Sequence, residues 1–153
     1  MDAPEPPQHP ARAAFPDLAT VLPPEFLRVP YAGARHPGSP AVAARPGLAE
    51  GANCQLYAYA VLAHFGLRMP PLRSAELWAD RAATRIVPTP GPLDLLLFAP
   101  TDNPYGAHVG LWLGPDQVLH LSREVGHPAV WPLAAFRARM RYRVLIGVKR
   151  VRS

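Results

Sequence analysis

Asn53-Cys54-Gln55-Leu56-Tyr57-Ala58-Tyr59-Ala60-Val61-Leu62-Ala63-His64-Phe65-Gly66 carries the only cysteine of the chain. Residues 55–65 are nearly all apolar and free of proline, which predicts a helix buried on most sides. Asn53 suits the N-cap, because its side-chain oxygen can accept from the free N–H groups of a first turn. Gly66 suits the left-handed residue just past a helix end. Cys54 then stands on the first turn, where unpaired N–H groups and the helix dipole favour thiolate over thiol. A lone cysteine in an apolar segment also reads as a small core residue. Position alone does not make Cys54 a nucleophile.

Downstream of this helix, Ser74 caps a second helix reaching about residue 83, and Pro88, Pro90 and Pro92 close it off. The pattern then changes to strands at residues 93–98, 107–113, 117–121, 129–133 and 142–148, with a short helix at 133–140. Helices followed by a meander of strands predict an α+β fold, with the Cys54 helix packed on an antiparallel sheet. The hairpin turn Gly114-Pro115-Asp116 sets a register. A three-residue turn pairs Leu113 with Gln117 and places Gly110 opposite His120. His108 and His120 then become diagonal neighbours on one face, about 7–8 Å apart between backbones. A two-residue turn would shift the register by one and send His120 to the other face. Gly110, lacking a side chain, leaves room for another backbone, and the Cys54 helix is the expected visitor.

These residues suggest a nucleophile (Cys54), a base (His108) and a group that orients the base (His120), the arrangement of covalent acyl transfer. His64, far along the helix from Cys54, and His127, in a turn before Pro128, are weaker candidates. A zinc site from Cys54, His108 and His120 is a further alternative, although no second cysteine exists for a CxxC half-site. No metal or other cofactor is required by the acyl-transfer reading.

Upstream of the helix the sequence is less regular. Residues 1–14 are rich in Pro and Ala and are expected to form a flexible tail. Residues 15–27 suggest a short helix or packed turn broken by Pro23-Pro24. A loop with Pro37, Gly38, Pro40, Pro46 and Gly47 then leads to Asn53; so many breakers forbid a long regular element there. Residues 15–153 are expected to form one domain, since 153 residues fit a single core and 49% of them are apolar. A single cysteine excludes an internal disulfide. No run approaches the length of a membrane span. The start, Met1-Asp2-Ala3-Pro4-Glu5-Pro6-Pro7, has no apolar leader region, so a cytoplasmic location is expected, or a secreted one if a leader was removed. The net charge is +5, and Arg137, Arg139, Arg141, Arg143, Arg150 and Arg152 crowd the C-terminus. Such a basic face can meet an anionic polymer, or be only a solvated surface. No motif indicates specific nucleic-acid binding.

Six segments together resemble the NlpC-type cysteine peptidases, a papain-like family best known for cutting peptidoglycan stem peptides. Val29-Pro30-Tyr31-Ala32-Gly33 resembles the family's Pro-Tyr segment. Asn53-Cys54-Gln55-Leu56 stands where the family usually has Asp-Cys-Ser-Gly. Pro71-Leu72-Arg73-Ser74-Ala75-Glu76 is similar to Pro-Arg-Thr-Ser, and Leu93-Asp94-Leu95-Leu96-Leu97-Phe98 to the Gly-Asp-Leu strand. Ala107-His108-Val109-Gly110-Leu111-Trp112-Leu113-Gly114 resembles Gly-His-Val-Gly-Ile-Tyr-Leu-Gly most closely. Val118-Leu119-His120-Leu121-Ser122 is similar to the strand bearing the third catalytic position. The resemblance runs from about Val29 to the C-terminus. It implies a papain-like fold with Cys54 as nucleophile, His108 as base, His120 as orienter and Tyr31 as a wall of the site near the oxyanion. Asn53 and Gln55 stand at substrate-binding positions. In wall-cutting members the Asp and Ser there help hold a free amino group, so this chain lacks one carboxylate.

The expected activity is thiol-dependent cleavage of an amide or peptide bond through an acyl-enzyme on Cys54. The substrate would be a peptidoglycan-derived or other small peptide. Transfer to an amine instead of water uses the same residues. A non-catalytic binding module on the same fold is the alternative from a different class.

Overall fold

The computed structural model describes residues 22–153. The tail at residues 1–14, and the part of the 15–27 element before residue 22, lie outside them. A 3-10 turn at Pro24–Leu27 comes first, then three helices: α1 (Pro40–Ala44), α2 (Cys54–His64) and α3 (Ser74–Ala79). Strands β1 (Thr84–Val87), β2 (Leu95–Ala99), β3 (His108–Gly114), β4 (Gln117–Leu121) and β5 (Pro128–Trp131) follow. Helix α4 (Leu133–Arg137), a 3-10 turn at Met140–Tyr142 and strand β6 (Val144–Val151) complete the chain. The six strands form one sheet in the order β1-β6-β2-β3-β4-β5, with every pairing antiparallel. This is the expected α+β architecture.

Helix α2 begins where Asn53 accepts the backbone N–H of Leu56 at 2.9 Å. It ends in a left-handed Gly66 (φ 83°), with Leu67 N–H returning to Leu62 O at 2.9 Å. Tyr57, Ala58, Tyr59, Val61 and Leu62 are buried and pack with Val109, Leu111, Leu113, Leu119 and Leu121 of β3 and β4. Burying each large apolar side chain contributes about 1.5–3 kcal/mol, which fixes the helix on this face of the sheet. Leu96, Phe98, Val118 and Val148 point the other way and pack with Phe136 of α4 and Tyr142.

The expected role of Gly110 is corrected by this layering. Gly110 shares a face with His108 and Trp112, opposite the face that carries α2. What fills its space is β4: a Cβ there would lie 2.6 Å from Val118 Cγ1 and 3.3 Å from Leu119 O.

The β3–β4 hairpin reaches the expected register by a different route. Only Pro115 and Asp116 lie in the turn, with Asp116 at φ 53°. Gly114 pairs with Gln117, and the register then shifts by one between Gly114 and Trp112, so that Leu111 pairs with Leu119. The irregularity at Leu113 cancels the slip a two-residue turn would impose. Gly110 ends opposite His120, and both histidines share a face.

Helix α3 stops at Ala79, four residues before the expected end. The Asp80 carboxylate accepts from the N–H of Ala82, Ala83 and Thr84 and from the Thr84 hydroxyl, which turns the chain into β1. Buried Lys149 of β6 donates to the carbonyls of Trp78 and Asp80 at the same point. Ser74 is the first helical residue rather than the cap; Arg73 is the cap, its N–H held by Glu76 Oε1 at 2.8 Å. Helix α1 and strand β1 were not foreseen, since a five-residue helix and a short edge strand are too brief to show a period. Between α1 and α2 the organiser is Arg35, buried, whose guanidinium donates to the carbonyls of Ala41, Arg45, Gly47 and Gly51.

Candidate active site

Cys54 is delivered by two neighbouring constraints. Its helix starts at the Asn53 cap, and the residue before that cap, Ala52, forms a bridge with Tyr31. Ala32 N–H donates to Ala52 O at 2.9 Å, and Asn53 N–H to Arg35 O at 2.9 Å. Tyr31 is thus pinned beside the first turn of α2. The start of β3 closes the site from the other side, with the backbone N–H of Val109 directed at the Cys54 sulfur.

Cys54 and His108 line one pocket of about 480 Å³ with Tyr31, Tyr105, Tyr142, Arg123 and Arg141. That volume suits a small ligand. His108 uses Nε2 to meet His120 Nδ1 at 2.8 Å, with the rings at 86°. Nδ1 is the nitrogen left for the pocket. Tyr142 stacks on the His108 ring at 4.6 Å and 29°. His120 lies deeper, against Trp131 at 4.2 Å and Phe136 at 4.7 Å, and its Nε2 has no hydrogen-bond partner among the described residues.

The electrostatics differ from the expected depressed thiol. Burial pushes the Cys54 thiol up to about 11, more than the N–H groups of Val109, Gln55 and Cys54 and the Arg73 charge pull it down. Burial lowers His108 to about 3. His120 is also lowered, by burial first and then by the charges of His108 and Arg139. Desolvation thus favours the neutral thiol and neutral imidazoles over a thiolate–imidazolium pair. The Tyr31 hydroxyl is raised by burial and by the Cys54 charge, against the opposing pull of Arg123, Arg141 and Arg73.

Among the residues singled out from the sequence, Cys54, His108, His120 and Tyr31 come together. Asn53 and Gln55 stand on the same first turn, but neither lines the pocket. Both side chains are buried and occupied within the protein. Asn53 caps α2 and donates to Gln55 Oε1 at 3.4 Å. Gln55 donates to the Ser74 hydroxyl, accepts from Arg73 at 3.2 Å, and so ties α2 to α3. His64 packs between Phe26 and Phe65, and His127 is exposed beside the Pro128 carbonyl. Sequence reasoning missed Tyr105, Arg123, Arg141 and Tyr142 as pocket walls, and Trp131 and Phe136 as the cage around His120. Phe136, Arg141 and Tyr142 come from the return between β5 and β6, Tyr105 from the β2–β3 connection and Arg123 from the end of β4, and no local pattern reveals that these meet.

The alternative zinc site does not assemble. Among the described residues no three His, Cys, Asp or Glu side chains are grouped to hold a metal ion. His108 Nε2 and His120 Nδ1 face each other instead. Four of the six C-terminal arginines are taken up by separate tasks: Arg139 pairs with Glu124, Arg143 holds the Pro100 carbonyl, Arg150 grips buried Asp94, and Arg152 holds the Arg81 carbonyl. Among the described residues no helix is long and apolar enough to cross a membrane.

No family model matches the chain, and no curated protein matches it. Among solved structures, an NlpC/P60 family protein from Bacillus cereus ATCC 10987 superposes with a TM-score of 0.55 at 20% identity. The superposition covers 82% of this chain and 36% of that one, so this chain spans about a third of the other protein's length. The two share a fold at that distance.

Proposed function

We propose that the protein is a thiol-dependent hydrolase that cleaves an amide or peptide bond through an acyl-enzyme on Cys54. The observation that carries this reading is the placement of Cys54 and His108 on the wall of one pocket, with His108 Nε2 meeting His120 Nδ1 at 2.8 Å. The similarity in fold to an NlpC/P60 protein supports it. Residues 15–153 act in this reading as one catalytic unit.

The resting neutrality of the pair sets the order of events. As the Cys54 sulfur attacks the substrate carbonyl, its proton passes to His108 Nδ1, and the carbonyl π electrons move onto oxygen. The Tyr31 hydroxyl and the first-turn N–H groups of α2 stabilise that oxyanion. Collapse breaks the C–N bond, and His108 returns the proton to the departing amine. Water then attacks the thioester, losing its proton to His108, and the acid leaves as the thiol is restored. An amine replacing water gives the transfer reaction from the same intermediate. His120 orients His108 and does not meet the substrate. Asn53 and Gln55 act by holding the first turn rather than by touching substrate. The substrate class is a small peptide, peptidoglycan stem peptides included.

One observation favours the alternative of a non-catalytic binding module: the thiol raised to about 11 is a poor nucleophile on its own. Reaction with p-nitrophenyl acetate separates the two. A catalytic pair releases nitrophenol, leaves a transient acetyl group on Cys54 seen by mass spectrometry, and loses about 10²-fold or more in rate with His108→Ala. Acetylation no faster than that of N-acetylcysteine, or indifferent to His108, would leave the binding module.

A further inference from the structure

The walls of the pocket carry charge of one sign. Arg123, just past the end of β4, and Arg141, in the 3-10 turn before β6, reach it from two separate segments. No carboxylate stands among the described lining residues. Both arginines are exposed, and neither makes a hydrogen bond or ion pair with another described residue. They are the two arginines among the described lining residues, and several arginines elsewhere are engaged. Arg35 serves four carbonyls, Arg73 holds Gln55, Arg139 holds Glu124 at 2.6 Å, and Arg150 grips Asp94. Glu124, next in sequence to Arg123, is thereby already occupied.

The two charges meet at one wall of the pocket, Tyr31. Both act on the Tyr31 hydroxyl, which also feels the Cys54 charge. Asn53, in the position beside the nucleophile, is neutral and points away into its cap. A substrate ammonium would find two cations in the pocket and no counter-charge. A substrate carboxylate would find two guanidinium forks that no described residue engages, the donors best matched to its planar geometry.

We infer that the pocket selects substrates bearing a carboxylate on the part that lies between Arg123 and Arg141. This rests on the reading of Cys54 as an accessible nucleophile. Recognition is then of an anionic peptide end or side chain rather than of a free amine.

Two reagents test it, iodoacetate and iodoacetamide. Each forms the same bond from sulfur to carbon with loss of iodide, and they differ only in carboxylate against amide. At pH 9 a thiol with a pKa near 11 is about one per cent ionised, enough to follow, while arginine stays charged. The ratio of the two rates cancels the thiolate fraction. In low salt that ratio should exceed the ratio for N-acetylcysteine by about tenfold. It should fall in Arg123→Gln and in Arg141→Gln, and reach the N-acetylcysteine value in the double variant or at high salt. A Cys54 that reacts with both reagents but shows no anion preference, or a preference that survives the double variant, overturns the inference and leaves the nucleophile standing. A Cys54 that reacts with neither reagent overturns both.

Discussion

His108 Nε2 and His120 Nδ1 meet at 2.8 Å with their rings at 86°, and this contact decides which His108 nitrogen is left for the pocket that Cys54 also lines. Only one proton fits between two neutral rings. If His120 donated it, His108 would carry its own proton on Nδ1 and could not accept from the thiol. If His108 donates it, His108 Nδ1 is free to accept, and His120 holds its proton on Nε2. That buried atom has no hydrogen-bond partner among the described residues, but its ring stands steeply against Trp131 at 4.2 Å and 65°. An N–H tolerates an aromatic neighbour better than a lone pair does. The cage thus favours the tautomer that leaves His108 Nδ1 unprotonated, as the proposed base role requires. His120→Ala should lower the p-nitrophenyl acetate rate by about 10²-fold. His120→Asn, which keeps an acceptor there, should recover part of it. Equal loss in both variants, with folding intact by circular dichroism, would remove the orienting role.

Burial of the two rings gives the protein a defined acid limit. His108 is lowered to about 3 and His120 is lowered as well, each chiefly by desolvation. Below pH 6.5 the unfolded chain protonates both while the folded one resists. The unfolded state then binds more protons, so stability rises with pH across this window and is lost as pH falls from 6.5 towards 3. The slope is about 1.4 kcal/mol per pH unit for each ring. Urea unfolding between pH 7 and pH 4 should show it, and His120→Gln should reduce it by roughly the share of one ring.

Neutral resting groups also predict an unusual rate profile. Burial raises Cys54 to about 11 and lowers His108 to about 3, so thiol and free imidazole coexist across the neutral range. Acyl transfer from p-nitrophenyl acetate, corrected for spontaneous hydrolysis, should be flat from about pH 5 to pH 9. Iodoacetamide needs the thiolate itself, so its rate should climb through pH 9 and 10 without a plateau. His108→Ala should abolish the first reaction and leave the shape of the second. A neutral-pH plateau in iodoacetamide rate that disappears with His108→Ala would show a thiolate–imidazolium pair instead.

Much of this site is local in sequence, which is why it could be read. Asn53 and Gly66 bound one helix by capping chemistry, and the spacing of His108 and His120 about a turn places them on one face. The route was misjudged, since the turn is Pro115-Asp116 and the irregularity at Leu113 restores the register. The thiol differs from what the helix N-terminus alone implies, because desolvation by the surrounding chain outweighs the N–H groups there and is not visible in sequence. Arg123 and Arg141 look like any exposed arginines until the chain closes over the end of the sheet.

Arg35 shows how a loop of breakers can still be ordered. Its guanidinium gathers four carbonyls from residues 41–51, and its own carbonyl accepts the Asn53 N–H. Arg35→Lys keeps the charge but presents an ammonium where a fork is needed. It should cost about 2–3 kcal/mol in urea unfolding, as several carbonyls lose their donors. Because this loop pins Ala52 beside Tyr31, the variant should also slow Cys54 acetylation. Unchanged stability would show that the loop is held by other contacts.

Gly110 carries a sharper test of how the two histidines come to meet. A Cβ at this position would stand 2.6 Å from Val118 Cγ1, 3.3 Å from Leu119 O and 3.5 Å from His120 Cβ. The first distance is far inside van der Waals contact, and strand β4 is held on its other side by four residue pairs with β5. Gly110→Ala must therefore push Val118 or separate the strands, at a cost of about 1–3 kcal/mol. Val118→Ala alone loses buried methyl groups and should also destabilise. The double variant should be more stable than the two single effects predict when added, because the new methyl enters the space that Val118 leaves. If the clash also displaces His120, Gly110→Ala should lower the acetylation rate and Val118→Ala should restore it. Additive effects in the double variant would mean that the crowding is relieved elsewhere, and that Gly110 is not what lets β4 bring His120 against His108.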